Sequence, residues 1–188
     1  MEKKKKYYFS TFNLVLMAII AVIGGVINGT FMYNLIQPFK PLFTFLGPIS
    51  WVPLSGLYVL WSIVARLLIR KRGAGTLYGL IQGFVEMLAG NRLGPWAILF
   101  AGMEGLLVDI GFEIIRDKTK FLSSLLGAAL ANLAADEIYF FIFGLTSSYV
   151  LYVGGIVAII SGIIFAGLLG WLIARAIYNT GIIKVANP

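Results

Sequence analysis

Six apolar stretches of roughly twenty residues each, separated by short polar breaks, constrain this chain more than any other feature: about 11–29, 49–69, 74–90, 95–115, 121–144 and 149–178. A bilayer core about 30 Å thick is crossed by about 20 apolar residues in a helix, and lipid tolerates no unpaired backbone, so helices are the solution open to such stretches. Of the 188 residues, 60% are hydrophobic and 12% charged, far from the balance of a water-soluble domain. The pattern predicts an all-α, multi-pass integral membrane protein of the cell membrane, a single six-helix domain over 1–188. The breaks fall where polar or turn-forming residues cluster: "YNLIQPFKPLFTFLGP", "RKRGAG", "GNRLGP", "RDKTK" and "GLTSS".

The cations assign the sides. With the basic amino terminus (1–10) inside, the cytoplasmic face collects Lys3, Lys4, Lys5, Lys6, Arg66, Arg70, Lys71, Arg72, Arg116, Lys118, Lys120, Arg175 and Lys184. The outside keeps Lys40 and Arg92, so both termini are expected in the cytoplasm. The net charge of +7 is therefore a topology signal, and no nucleic-acid partner is expected. A cleaved signal peptide is the weaker reading of the start, because five further spans follow and no small-residue cleavage site is evident.

The chain has no Cys and no His, which removes disulfides, thiolate chemistry and the usual transition-metal ligands. No metal or cofactor is expected. Function then rests on carboxylates, amides, aromatic rings and shape. Six of the eight acids fall within or at the edge of spans: Glu86, Glu104, Asp109, Glu113, Asp136 and Glu137. Each costs on the order of 2.5–3.5 kcal/mol at the bilayer centre, so each needs a partner or a purpose.

Depth divides them. At about 1.5 Å per residue, Glu86 lies roughly 6 Å below the outer turn, Glu104 roughly 13 Å and Asp136 roughly 12 Å. Asp109 and Glu113, one turn apart near the cytoplasmic end of the fourth span, match Arg66 and Arg70 on the second, which predicts structural ion pairs. The outer set has neutral polar company: Gln82 shares a face with Glu86, and Asn132 and Tyr139 share one with Asp136. Asn91 follows in the turn, and Trp51, Tyr58, Trp96, Phe31, Tyr33, Phe39, Phe43 and Phe45 crowd the same level. Carboxylates, amides and ring faces at an outer mouth suit a flat organic cation, although an ordinary aromatic belt accounts for some of the rings. The candidate substrate-binding set is Glu86, Asn91, Glu104, Asn132, Asp136, Tyr139, Gln82, Tyr58 and Trp51.

The first outer loop, about 30–48, holds three prolines and several aromatics and reads as a lid, a re-entrant segment or an interfacial one. "NGT" at Asn28 matches a glycosylation acceptor but abuts the membrane, which argues against its use. Small residues repeat every four positions in three spans: Ala21, Gly25 and Gly29; Gly127, Ala131 and Ala135; and a ladder from Gly154 to Ala174. Such stripes pack helices within the bundle or dock another membrane subunit, and Ala21, Gly25 and Gly29 are the docking candidates.

"SGLYVLWSIVARLLIRKRGAG", "VEMLAGNRLGP", the "EG" at Glu104, "ISGIIFAGLLG" and "NTG" together resemble the YkoE family, from about Val52 to Gly181. These are S components, the membrane-embedded capture subunits of energy-coupling factor (ECF) transporters, a type of ABC importer. The resemblance implies a six-helix S-component bundle binding thiamin or its hydroxymethylpyrimidine precursor on the outside, with a transmembrane T component and two cytoplasmic ATPases as partners. It matches Glu86, Asn91 and Asp136 to the family pattern. Glu104 stands where a relative has Gln in a Q-G pair, which leaves the exact ligand open. The lack of a Gly-x-x-x-x-Gly-Lys-Ser/Thr run agrees with energy supplied by another subunit. Two other classes compete: an autonomous proton- or cation-coupled carrier, for which no inverted repeat is visible, and a membrane enzyme, for which no Ser-x-x-Lys or clustered-acid motif lies in a span.

Overall fold

The computed structural model of the chain describes residues 8–117 and 120–181, which form six helical rods side by side. The first rod is α1 (Thr11–Val26), a π-helical turn (Ile27–Phe31) and α2 (Met32–Ile36). Runs of 3-10 turns (Gln37–Ile49 and Val52–Leu54) lead into α3 (Gly56–Ile69), followed by α4 (Ala74–Leu88), α5 (Trp96–Ile114) and α6 (Phe121–Ile142). The last rod is α7 (Ser148–Ser161), a second π-helical segment (Gly162–Leu168) and α8 (Leu169–Asn179). Thr11–Ile49, Val52–Ile69, Phe121–Ile142 and Ser148–Asn179 are each long and apolar enough to cross a membrane. The other two rods lean on their neighbours: α4 covers only about 22 Å, and α5 carries Glu104, Asp109 and Glu113.

The first rod runs beyond its expected end near residue 29, because a π turn takes up an extra residue and the helix resumes to Ile36. That turn buries Asn28, whose Nδ2 donates to the Tyr58 carbonyl at 2.9 Å. The cationic ends separate as expected for the described residues, and Lys71 Nζ donates to the Tyr8 carbonyl, which ties the start of the chain to the α3–α4 turn. Lys3, Lys4, Lys5, Lys6, Lys118 and Lys184 lie outside the described residues, as does most of the basic segment 1–10.

All three small-residue stripes are used inside the bundle. A Cβ on Gly25 would lie 2.7 Å from Val85, and one on Gly29 would lie 3.0 Å from the Glu86 carbonyl. With Ala21 and Gly25 buried and Gly29 half-buried, the stripe proposed for docking, Ala21, Gly25 and Gly29, packs in this structure against α4 and the core. Gly162 and Gly170 likewise meet α6 and α3, and Gly127 meets α5.

The tightest contact joins α4 and α5. A Cβ on Gly79 would strike the Ala101 carbonyl oxygen, one on Gly105 the Gly75 carbonyl, and one on Gly83 would lie 2.6 Å from the Ile98 Cα. Backbone faces backbone, so neither side has a side chain that can move aside. Gly79→Ala is expected to cost about 1–3 kcal/mol, read as a lower melting temperature in detergent, whereas Phe84→Ala on the exposed face of α4 leaves it near the starting value.

At the basic end Arg66 Nε pairs with Asp109 Oδ1 at 2.7 Å, and Arg66 Nη2 reaches Glu113 Oε1 at 3.6 Å. Asp109 also accepts from the Gly75 and Thr76 amides and the Thr76 hydroxyl at 2.8–3.2 Å. Arg70 departs from the expected set. It caps α3 in a left-handed conformation (φ 54°), which swings its guanidinium 4.7 Å over the Tyr178 ring, and it has no ion pair among the described residues. Arg72 pairs with Glu113 in its stead, at 3.0 Å.

Candidate functional site

At the opposite end a cavity of about 630 Å³ opens between the first rod and α3, α4, α5 and α6. Three carboxylates from three helices line it: Glu86 on α4, Glu104 on α5 and Asp136 on α6, with 5%, 7% and 4% of their surfaces exposed. All of the sequence-selected candidates except Gln82 line this same cavity: Glu86, Asn91, Glu104, Asn132, Asp136, Tyr139, Tyr58 and Trp51. Gln82, fully buried, lies one helical turn beneath Glu86 and acts on it from behind.

Each acid is held differently. Glu86 sits near the end of α4, where Gly90 takes φ +89° and turns the chain so that Asn91 folds back. Gln82 Nε2 donates to Glu86 Oε1 at 2.6 Å and Asn91 Nδ2 to Oε2 at 3.0 Å, while Asn91 Oδ1 accepts from the Leu93 amide at 2.9 Å. The carboxylate plane is thus fixed by two neutral amides. Asp136 Oδ2 accepts from the Ser55 hydroxyl at 2.7 Å, and Asn132 Nδ2 donates to Ser55 Oγ at 2.8 Å and to the Ala158 carbonyl at 2.7 Å. This second cluster ties α3, α6 and α7 together. Glu104 is the exception: among the described residues its carboxylate has no hydrogen-bond or ion-pair partner.

The outer cations do not neutralise these acids. Arg92 lies with its guanidinium 3.6 Å over the Tyr33 ring, and Lys40 Nζ is 5.9 Å from the same ring. Both stand at the mouth, and neither forms a salt bridge among the described residues. Ring faces supply the remaining wall. Trp51 packs edge-on to Tyr139 at 5.0 Å, and Tyr139 lies 6.5 Å from Phe100, centroid to centroid.

Of the rings in the first outer loop, Tyr33 reaches the cavity. Phe31, Phe39 and Phe45 are exposed away from it, as is Trp96, which suits an aromatic belt. The loop contributes wall through Gln37 and Lys40. Asn28 lines the cavity from its π turn and is 3% exposed, so the "NGT" there is inaccessible as a glycosylation acceptor. Ser55, Asn28, Gln37 and Phe100 were missed from sequence. Ser55 lies 81 residues from Asp136 in the chain, and nothing local marks it.

Among the described residues no group of three or more acids converges closely enough to hold a metal ion. The carboxylates stand on separate walls of a roomy space. A charged, partly aromatic organic molecule fits such a space better than a bare ion.

A family model described as "ABC-type cobalt transport system, permease component" matches residues 12–134. A putative HMP/thiamine permease protein, YkoE, of Bacillus subtilis (strain 168) is 30% identical over 178 residues, covering 91% of this chain and 85% of the relative. The crystal structure of an S-component of an ECF transporter superposes with a TM-score of 0.79 at 26% identity, covering 94% of this chain and 89% of that one.

Proposed function

Because this chain belongs to the YkoE-like S components of energy-coupling factor transporters, we propose that its chamber captures thiamin, or the hydroxymethylpyrimidine that forms part of it, from outside the cell. As an S component the chain is a multi-pass membrane subunit that works with a T component and ATPases, not an enzyme. Membership in this family displaces the autonomous carrier as an alternative.

The observation that carries the choice of ligand is the bare Glu104 carboxylate, in a chamber where neutral donors, never cations, hold the other two acids. Buried negative charge without a counter-charge is costly. A cationic ligand supplies that counter-charge. Thiamin carries a fixed positive charge on one ring and an amino group on the other. In this reading Glu86, already aligned by Gln82 and Asn91, accepts from the aminopyrimidine, while Glu104 and Asp136 face the cationic ring, and Trp51, Tyr58 and Tyr139 stack against the flat surfaces. The same charge balance favours thiamin over hydroxymethylpyrimidine, which is neutral.

Calorimetric titration of the purified full chain with thiamin tests this. Glu86→Gln keeps the shape but loses a charge-assisted acceptor, and thiamin binding is expected to weaken about 10- to 100-fold. Undiminished affinity in that variant removes Glu86 from the site, and an absence of thiamin binding in the unaltered protein ends the proposal.

A further inference from the structure

A second hollow of about 220 Å³ lies at the basic end of the bundle, remote from the chamber. Five cations line it, Arg66, Arg70, Arg72, Arg116 and Lys120, together with the Glu113 carboxylate. Leu67 and Phe112 provide an apolar floor, with the Arg66 guanidinium 4.9 Å over the Phe112 ring.

The charges do not balance. Asp109 is taken up by Arg66, and Glu113 is shared among Arg66, Arg72 and Arg116 at 3.6, 3.0 and 3.4 Å. Arg70 and Lys120 have no carboxylate among the described residues. Topology requires cations near the inner ends of spans, but it does not require side chains from α3, α5 and the turns beside them to line one concavity. Guanidinium groups gathered in a hollow present forked donors matched to a phosphate.

The source of that phosphate is argued from the flank. Leu106, Ile110 and Ile114 repeat at four-residue spacing on α5 and are 47%, 39% and 64% exposed, so they form an apolar track along the outside of the bundle. The track ends at Ile114, next in sequence to Glu113 and two residues before Arg116, both of which line the hollow. A lipid whose tails lie along it places its headgroup at the cations. We propose that this hollow binds the phosphate of an anionic lipid of the cytoplasmic leaflet, as basic pockets between membrane helices do when charge and depth coincide.

Native mass spectrometry of the detergent-purified full chain, offered equal phosphatidylglycerol and phosphatidylcholine, tests the proposal. Phosphatidylglycerol is expected to be retained over phosphatidylcholine by at least about tenfold. Arg70→Gln combined with Lys120→Gln, which leaves the Glu113 ion pairs in place, is expected to abolish that preference with at most a small fall in melting temperature from the lost Arg70–Tyr178 stacking. Arg116→Gln, on a side chain 67% exposed, gives an independent reading should the double variant not fold. Equal retention of the two lipids by the unaltered chain overturns the proposal, as does a preference that survives every variant. Two further results would overturn it in favour of another occupant: binding of inorganic phosphate with no lipid preference, or loss of assembly with the T component and ATPases in the variants when the unaltered chain shows no lipid preference.

Discussion

Glu104→Lys is expected to fold and to lose thiamin binding by at least about 1,000-fold. The substitution turns one negative charge into a positive one at the wall of a chamber that already has room for a cation. At an effective dielectric constant near 20, two unit charges about 5 Å apart interact by roughly 3 kcal/mol, so exchanging an attraction for a repulsion amounts to about 4–6 kcal/mol after some relaxation. The same ammonium group gains Glu86 and Asp136 as neighbours across the cavity. It becomes a built-in substitute for cargo. The melting temperature of the empty variant should therefore hold or rise while affinity collapses, and neutral hydroxymethylpyrimidine should suffer less than thiamin. Calorimetry paired with thermal unfolding reads both, and a variant that binds thiamin as well as the unaltered protein would remove Glu104 from the chamber's chemistry.

Arg66→Met should destabilise the bundle by about 3–5 kcal/mol, the cost of leaving one member of a buried ion pair without its partner. Asp109 is 6% exposed, and its three remaining donors, from Gly75 and Thr76, do not neutralise it. Pairing the change with Asp109→Asn removes the orphaned charge and keeps a side chain able to accept from Thr76. Most of the loss should return in the double variant. Denaturant unfolding in mixed micelles measures this, and a single variant as stable as the parent would show that the pair contributes nothing.

Much of this was legible because the relevant patterns are local. Apolar run length marked the rods, and four-residue spacing placed Gln82 behind Glu86 and Asn132 beside Asp136. Gly75, Gly79 and Gly83 follow the same four-residue rule as the recognised stripes, but Thr76, Tyr78, Gln82 and Glu86 between and beside them give that span a polar character that masks the close α4–α5 contact. Other features were out of reach. A π turn has no compositional mark, so neither the extra length of the first rod nor the burial of Asn28 could be read. The choice of Arg72 over Arg70 for Glu113 depends on one left-handed residue at the end of α3, and the part played by Ser55 depends on two helices distant in sequence.

Below the three acids the bundle is solid. Ile63, Tyr78 and Val108 have no exposed surface, and the Arg66–Asp109 pair lies further down still. The molecule is therefore a cup, not a tube, and a cup empties where it fills. As long as the helices keep this packing, whatever enters at the mouth is held on that side of the membrane by the layer beneath it.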